Sequence, residues 1–490
     1  MFLALAGLVL TSCDMDINDD PNYPSSGNIT PTLQFPAAIN AVATCTGDQL
    51  FNYAGFFVQY FDQRPEANQY NDLAELNIEE TSDLFVRPYR VLYAGALMDL
   101  KEVAEKSTNT ADLFITQVMR TQTYQILVDN TDKTPYTEAL QGSSNTTPKY
   151  DEGQAVYEGV LKELDDAEAA IKATDIITMN DPMLNKNLSQ WKGYANALRL
   201  RMYLRFIDAN INAAEYTTKV KNLLAANEFF TGDVAWDVYS DLEGQFNPWY
   251  DAVFKLSANN HCASFAFVEY LKKMNDPRIS YCIQPRSSDK TYVGLYPGSK
   301  QDNVFWGNST PKNADVSCID YSKTHNMAIF FFTQSELQFL IAEAQLRFNN
   351  DAAAAKAAYE AGVAADFTYR GIASDAAAFL AAEGAWTASN DDNLNLIYMQ
   401  KWVALFMRDH MESWSEQRRT DVPKVSAKTA TEIKNNPTLY TPGELLIPVR
   451  NIKGNGGLCL SIPYSSDSRR YNSNTPTARK ITDRIFWDVK

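Results

Sequence analysis

The chain has 490 residues, of which 44 are basic and 60 acidic, so its formal net charge at neutral pH is −16. Proteins that bind nucleic acid neutralise phosphates with a basic surface, so this excess of carboxylates argues against a nucleic-acid partner. The six cysteines lack the C-x-x-C spacing that is typical of zinc sites. Without Cys13, five remain, which leaves open one disulfide within 262–318 or buried free thiols throughout.

The N-terminus carries an uncharged apolar run, 1–12, that ends just before Cys13. The run is too short to span a bilayer and has the length of the apolar part of a signal peptide. Leu-x-x-Cys at its end resembles the bacterial lipobox, so Cys13 is the predicted lipidation site, with acyl chains as the anchor. The acidic tether over 13–30 resembles the surface-export signal of Bacteroidetes lipoproteins. We therefore expect a lipid-anchored protein of the outer membrane that faces the cell exterior.

Helical periodicity dominates the rest of the chain. In 152–172, for example, Val156, Val160 and Leu164 lie four residues apart and define one apolar stripe. Segments with this kind of period predict a mainly α fold and cover 35–60, 83–106, 111–130, 152–172, 187–209, 214–227, 334–349, 351–364 and 391–413. Because these helices come in consecutive pairs, each of roughly 30 to 40 residues, they indicate a tetratricopeptide-like helical-repeat scaffold.

A long excursion, 228–326, loses the helical period and is rich in Gly, Pro, Asn and aromatic residues. We predict one domain over 31–490, with the helical scaffold in 31–227 and 327–420 and the loop-rich excursion between them. A loop region of this length is usually functional, so we expect the excursion, together with 62–80, to form the ligand-binding face. Beyond 420, repeated prolines interrupt any helix.

Aromatic side chains on loops are the best material for a binding site, because their faces stack on sugar rings or pack against peptide side chains. The candidate ligand-binding residues are Tyr70, Trp249, Tyr250, Tyr292, Tyr296 and Trp306. The alternative for each is that it packs the excursion onto the helical scaffold. By contrast, Trp191, Trp402 and Trp414 lie in helical stripes and are predicted core residues, and Arg199, Arg201, Arg418 and Arg419 are predicted to form salt bridges within the chain.

Material for catalysis is poor. The three histidines lack the H-E-x-x-H spacing of a metalloprotease, and neither a Gly-x-Ser-x-Gly motif nor a phosphate-binding glycine loop is present. The sequence therefore predicts no catalytic residue, no metal site and no cofactor. A glycosidase pair of carboxylates stays open, since such pairs are defined by their separation in space rather than by a motif.

Several short motifs, taken together and in order, resemble those of the SusD/RagB family of outer-membrane nutrient-binding lipoproteins. They are Thr134–Leu140, Pro148–Asp151, Trp191–Arg201, Asn247–Tyr250, Asn275–Arg278, Glu336–Ala344, Gln400–Trp402, Glu412–Trp414 and Arg418–Pro423. The order of Asn-Pro-Trp-Tyr before Asn-Asp-Pro-Arg is similar to the second SusD-like subgroup. The resemblance implies a tetratricopeptide-like fold, a position on the cell exterior and a role as lid over a SusC-like TonB-dependent barrel.

The function that this resemblance implies is noncatalytic capture of an oligosaccharide or glycan, which is then delivered to the barrel. The alternative is the same role with a peptide as ligand, as in RagB-like proteins. Two further hypotheses are a surface glycoside hydrolase or peptidase, and a structural or adhesive lipoprotein that binds no oligomer.

Overall fold

The structure, a computed structural model, describes residues 30–255, 260–452 and 456–490. The predicted signal peptide 1–12, the lipidation site Cys13 and the tether up to residue 29 lie outside these described residues. Within them, we find no helix with the length and apolar character that crossing a membrane requires. Helices account for 53% of the structure and strands for 5%, which confirms the mainly α prediction.

The helices up to the excursion are α1 (Pro31–Thr46), α2 (Gln49–Phe57), α3 (Asn71–Ala74), α4 (Val86–Arg90), α5 (Met98–Lys106), α6 (Thr110–Thr131), α7 (Gly153–Ala169), α8 (Leu188–Asp208) and α9 (Ala213–Ala226). Those that follow are α10 (Pro248–Tyr250), α11 (Phe265–Lys273), α12 (Ile279–Cys282), α13 (Asn303–Trp306), α14 (Gln334–Ala344), α15 (Ala352–Tyr369), α16 (Ala376–Ala381), α17 (Asn390–Leu405), α18 (His410–Thr420), α19 (Ala430–Asn435) and α20 (Ser466–Tyr471). Segments of π-helix run over Val91–Leu97, Asp251–Lys255 and Gln345–Asn349.

Helices with a strong local signal end close to their predicted bounds. The segments 111–130, 152–172 and 187–209 correspond to α6, α7 and α8. The side chains of Asn109 and Asn187 cap α6 and α8, because each accepts hydrogen bonds from two N–H groups of the first turn. Consecutive helices pack together as pairs, most extensively α6 with α7, α8 with α9 and α14 with α15.

Two predicted helices are each broken in two. The segment 35–60 divides into α1 and α2 at Gly47, where a Cβ atom would lie 2.3 Å from Cδ1 of Ile329. A larger residue at this position would force the Ile329 side chain to move. The segment 391–413 divides into α17 and α18, and between them Met407 has a φ of 59°, which is incompatible with a continuous helix.

The excursion contains more regular structure than the sequence predicts. It holds α11, which was not predicted, and the strands β2 (Val234–Trp236), β3 (His261–Ala263), β4 (Ile283–Gln284) and β5 (Cys318–Ile319). The strands β3, β4 and β5 form a sheet with β1 (Phe61–Gln63), in the order β1-β3-β5-β4. The strand β2 pairs with β6 (Ile329–Phe332). The pairing of β1 with β3 places the excursion directly against the segment that precedes α3.

The core is continuous from the first described helix to the C-terminus, since its largest cluster of buried apolar side chains runs from Phe35 to Trp487. Trp191, Trp402 and Trp414 are all buried in it, which confirms their prediction as core residues. The C-terminal tail, although poor in helix, therefore belongs to the same folded body as the helical scaffold.

Buried ion pairs join helices that are distant in sequence. Arg205 on α8 binds Asp129 of α6 and Glu412 of α18, at 2.7 Å in each case, and all three side chains are buried. Arg201 on α8 binds Glu336 of α14 at 2.6 Å. Removal of one partner from such a pair would leave an uncompensated buried charge, at a cost of roughly 3–5 kcal/mol.

The arginine predictions hold for three of the four residues. Arg199, Arg201 and Arg419 form salt bridges within the chain. Among the described residues no carboxylate forms a salt bridge with Arg418; its Nη1 donates to the main-chain carbonyls of Asp129 and Leu460, at 2.8 Å in each case. It thereby ties the tail to α6 through neutral acceptors.

The cysteines that the structure describes as free are Cys45, Cys262, Cys318 and Cys459. Cys262 on β3 lies opposite Cys318 on β5 in an antiparallel pair, yet both are free thiols. The sequence left open a disulfide within 262–318 or buried free thiols. The four described cysteines are free thiols, and three of them are buried, whereas Cys318 is half-buried.

Candidate ligand-binding cavity

A cavity of about 1110 Å³ lies beside the junction of scaffold and excursion. Its walls come from α2, from the segment 69–87, from Ala252 and Val253 of the excursion, and from Arg450. We call this the main cavity. Its volume suits a ligand of several sugar or amino-acid units.

Polar groups dominate the lining. Among the described residues it contains five carboxylates, two guanidinium groups, four side-chain amides and two tyrosines. In that order they are Asp48, Asp72, Glu75, Glu79 and Asp83; Arg87 and Arg450; Gln49, Asn52, Gln69 and Asn77; and Tyr53 and Tyr70. This set can donate and accept hydrogen bonds around a neutral polar ligand, whereas its negative charge disfavours an anionic one.

Both arginines of the lining already bind carboxylates. Arg87 binds Asp48 at 2.8 Å, and Arg450 binds Glu75 at 3.2 Å. Burial raises the pKa of the Asp48 and Glu75 carboxyls, and the neighbouring arginines offset only part of that effect. The two ion pairs are therefore fixed polar walls, which hold their geometry before a ligand arrives.

Tyr70 presents a half-buried ring at the cavity. Its centroid lies 5.7 Å from that of Phe56 and 5.2 Å from that of His261, so the ring is held from behind by other rings. Burial raises the pKa of Tyr70 to about 12, so its hydroxyl is protonated at neutral pH. A tyrosine that is supported in this way offers rigid surface at little entropic cost.

A buried hydrogen-bond relay supports the floor of the cavity. Asn52 lines the cavity, and its Oδ1 accepts from Trp249 Nε1 at 3.1 Å and lies 2.8 Å from His261 Nε2. Because an indole nitrogen only donates, the oxygen of Asn52 must face inward, and His261 must carry its proton on Nε2. The Nδ1 of His261 then accepts from the Tyr321 hydroxyl at 2.7 Å. The amide NH₂ of Asn52 is what this residue can offer to a ligand.

This fold and cavity can be compared with those of known proteins. A family model described as "SusD-like_2: Starch-binding associating with outer membrane" matches residues 24–441. The chain belongs to this SusD-like_2 family. The match confirms the resemblance that the sequence motifs indicate, including the second SusD-like subgroup.

Solved structures agree with this assignment at the level of fold. A chitin-binding protein superposes with a TM-score of 0.73 at 20% identity, over 94% of this chain and 100% of the other. A chitin-binding SusD homologue from Flavobacterium johnsoniae gives 0.71 at 20% identity, over 94% and 98%. A SusD/RagB family protein from Bacteroides thetaiotaomicron gives 0.72 at 18% identity, over 94% and 99%. These likenesses confirm the tetratricopeptide-like helical fold. No curated protein matches the chain.

Of the six aromatic residues singled out from the sequence of this SusD-like chain, only Tyr70 lines the main cavity. Trp249 is fully buried, with its ring 5.4 Å from Phe51 and 6.1 Å from Phe61, so it has no face to offer a ligand in this structure. It touches the site only through Asn52. For Trp249, the packing alternative describes the structure better than a stacking role.

The other four candidates are half-buried and lie elsewhere. Tyr250 packs against Phe246 and Phe254, at centroid distances of 5.4 and 5.1 Å, and Tyr292 lies against the edge of the main core. Tyr296 stacks on Phe265 at 4.1 Å, and Trp306 Nε1 donates to the Ser299 carbonyl at 2.8 Å. Tyr296 and Trp306 share a small apolar cluster with Phe305, which packs α13 against α19.

Several residues of the lining were not singled out from the sequence. Tyr53 and Asn52 lie in a predicted helix, where the apolar period suggests only core packing. Arg450 comes from the tail, nearly 400 positions from Asn52 in the chain, and no local signal links the two. The sequence assigns 62–80 and the excursion to the ligand-binding face, and the parts of these segments that line the main cavity are 69–79 and Ala252 with Val253.

Proposed function

We propose that this SusD-like protein is a noncatalytic, lipid-anchored receptor on the cell exterior that binds an oligosaccharide in the main cavity. It then delivers the oligosaccharide to a SusC-like TonB-dependent barrel in the outer membrane. The observation that carries the proposal is the composition of the cavity wall, in which Tyr53 and Tyr70 lie among amides and paired charges. Sugar rings need both components, since their C–H faces pack on aromatic rings and their hydroxyls require donors and acceptors.

The comparisons support the same ligand class. The family is described as starch-binding, and two of the structures with the same fold are described as chitin-binding. Starch and chitin are both neutral glycans. Five carboxylates against two arginines in the described lining fit a neutral glycan better than one that carries carboxylates or sulfates.

A binding role also fits the state of the charged groups. Asp48 and Glu75, the lining carboxylates whose pKa is raised, are both held by arginines. A glycosidase needs one carboxylic acid free to protonate the leaving group and a second carboxylate free to act as base or nucleophile. Because both lining carboxyls with a raised pKa, the candidates for the general acid, are in ion pairs, we expect capture without cleavage, with anchoring by acyl chains on Cys13.

The experiment that tests this proposal is calorimetric titration of the soluble form, from which residues 1–13 have been removed. The ligands are malto-oligosaccharides, chito-oligosaccharides, an oligogalacturonate and a mixed peptide panel. We expect a neutral glycan to bind and the galacturonate to bind weakly, with the glycan recovered intact from the solution. If only peptides bind, the ligand is a peptide and not an oligosaccharide. Any cleavage product would overturn the noncatalytic role.

Delivery to a barrel needs a separate measurement. We expect the full-length protein, extracted from outer membranes in mild detergent, to co-purify with a large TonB-dependent barrel. Extraction as an isolated lipoprotein under conditions that preserve other outer-membrane complexes would contradict the delivery step without affecting the glycan-binding result.

A further inference from the structure

A second concave site shares α4 with the main cavity, since Arg87 lines the main cavity and Arg90 lines the second site. It measures about 310 Å³ and is formed by the helix that begins at α4, by the 135–148 loop and by α20. Its apolar lining includes Tyr89, Tyr93, Leu140, Pro148 and Tyr471. We call it the tyrosine hollow. Its volume is at the lower end of the range for small-ligand sites and suits one ring rather than a chain.

The tyrosines of the hollow offer ring surface rather than hydroxyl groups. The Tyr93 hydroxyl donates to the Pro135 carbonyl at 2.5 Å and lies 2.6 Å from Oγ1 of Thr134, so it is already occupied within the chain. The rings of Tyr89 and Tyr93 lie 4.6 Å apart and support each other. At the rim, Tyr471 is 67% exposed, which is unusual for so large a ring beside a concave surface.

A polar pair borders this apolar surface. Arg90 donates to Asp467 through Nε at 2.7 Å and Nη2 at 2.6 Å, and both bonds go to the same carboxylate oxygen, Oδ2. Within the described part of the chain, no partner is recorded for Oδ1 of Asp467. The Arg90 side chain is 66% exposed, so the pair lies within reach of a ligand in the hollow. A carboxylate beside a guanidinium group can bind two neighbouring hydroxyls at once.

The tyrosine hollow is close to the main cavity along one helix. Arg87 lines the main cavity, whereas Arg90 and Ala94 line the hollow. Residues three apart lie on the same side of a helix, and the seven positions from Arg87 to Ala94 span about 10 Å at 1.5 Å per residue. Arg87 and Arg90 are both more than half exposed and form the ridge between the two sites.

We propose that the tyrosine hollow is a second sugar-binding site, which takes one pyranose ring of the oligosaccharide that occupies the main cavity. The inference rests on the proposed function and extends it, because it assigns a separate place to the distal units of a longer chain. A pyranose presents a C–H face to Tyr471, Tyr89 and Tyr93 and hydroxyls at its rim to Arg90 and Asp467. The hollow lacks the carboxylate-rich lining of the main cavity, so the two sites recognise different faces of the chain.

Tyr471→Ala is the variant that tests this proposal, since a residue so exposed contributes little to folding. Its matched control is Leu242→Ala, which removes a side chain that is 63% exposed at a distant position. Each variant and the wild type are titrated with malto- and chito-oligosaccharides of two to eight units. We expect Tyr471→Ala to weaken binding of the longest chains about fivefold to tenfold and to leave the shortest unchanged. Tyr471→Phe, which keeps the ring, should restore wild-type affinity.

The outcomes separate this proposal from the function on which it rests. Equal affinity of Tyr471→Ala and wild type at every length, with binding itself intact, overturns the second site alone. An equal loss of affinity at every chain length also overturns it, because the second site should contact only chains that are long enough to extend beyond the main cavity. Absence of binding by the wild type to both series removes the proposed function, and the second site with it.

Discussion

Tyr70 is the aromatic residue on which the sequence and the structure agree, and its replacement by alanine gives the sharpest test of the main cavity. One face of a tyrosine ring is roughly a third of the 150–250 Å² that an aromatic side chain buries, or about 60 Å². At about 25 cal/mol per Å² of apolar surface, loss of that face costs about 1.5 kcal/mol of binding free energy. The expected result is a dissociation constant about tenfold higher.

Tyr70→Phe separates the ring from its hydroxyl. The ring of Tyr70 is held by Phe56 and His261, and phenylalanine keeps both contacts. We therefore expect Tyr70→Phe to bind within about threefold of wild type, where loss of one hydrogen bond would place it. Trp306→Ala is the control at a candidate residue that lies outside the main cavity.

The assay is isothermal titration with the oligosaccharide that binds the wild type best, after each variant has been shown by circular dichroism to be folded at the titration temperature. The reasoning is refuted if Tyr70→Ala binds as tightly as wild type, or if Trp306→Ala weakens binding as much as Tyr70→Ala does. The second outcome would move the ligand from the main cavity to the excursion.

Three further predictions concern the scaffold and the anchor. Glu412→Ala leaves Arg205 with one of its two buried carboxylate partners and should lower the free energy of unfolding in urea by about 3–5 kcal/mol, whereas Glu360→Ala, which removes an exposed pair, should change it by less than about 1 kcal/mol. Burial lowers the pKa of His261 and of His410 to about 3, so both stay neutral in the folded protein and take up a proton only on unfolding. The free energy of unfolding therefore falls as the pH drops below about 6.5, the pKa of histidine in the unfolded chain, by up to about 1.4 kcal/mol per pH unit for each histidine. In the folded protein, the NMR signals of both histidines should not titrate between pH 8 and 5. Cys13→Ala should release the protein from the membrane fraction, and continued membrane association without acyl chains would contradict the lipobox.

The helical scaffold could be predicted because its signals are local. An apolar stripe and an asparagine cap lie within one segment, so α6 and α8 are readable without knowledge of their neighbours. The breaks could not be predicted in the same way: Gly47, where α1 ends, packs against Ile329, which is nearly 300 residues away in the chain. The helix α11 was not predicted, because the glycines and aromatic residues around it suggest a loop.

The site was only partly predictable, because an aromatic side chain on a loop can point into the core or towards a cavity. The sequence around Trp249 suggests an exposed turn, yet this turn folds over α2 and buries the ring. Tyr70 also lies on a predicted loop, but its ring lines the main cavity, whose wall comes from α2, the segment 69–87, the excursion and the tail. Which of the two rings lines the cavity depends on contacts between segments about 200 to 400 residues apart, such as Asn52 with His261 and Glu75 with Arg450.

Trp249 can still influence binding, and its effect should pass through Asn52. Trp249→Phe keeps an aromatic ring between Phe51 and Phe61 but removes the N–H group that fixes Oδ1 of Asn52. Within the described part of the chain, Oδ1 of Asn52 then keeps His261 alone as its partner, so the amide is held less firmly and its NH₂ group is oriented less well towards the ligand. We expect a loss of about 1 kcal/mol in stability and a few-fold weaker binding of the same oligosaccharide.

A double-mutant comparison decides between this positioning role and direct contact. If Trp249 acts through Asn52, then Trp249→Phe should have no further effect on affinity once Asn52 is already replaced by alanine, because the group that it positions is gone. If the indole itself touched the sugar, the two losses would add. If the losses of affinity add, the turn at 247–250 opens when the ligand binds and exposes the indole. The burial of Trp249 beneath the main cavity would then hold only for the ligand-free protein.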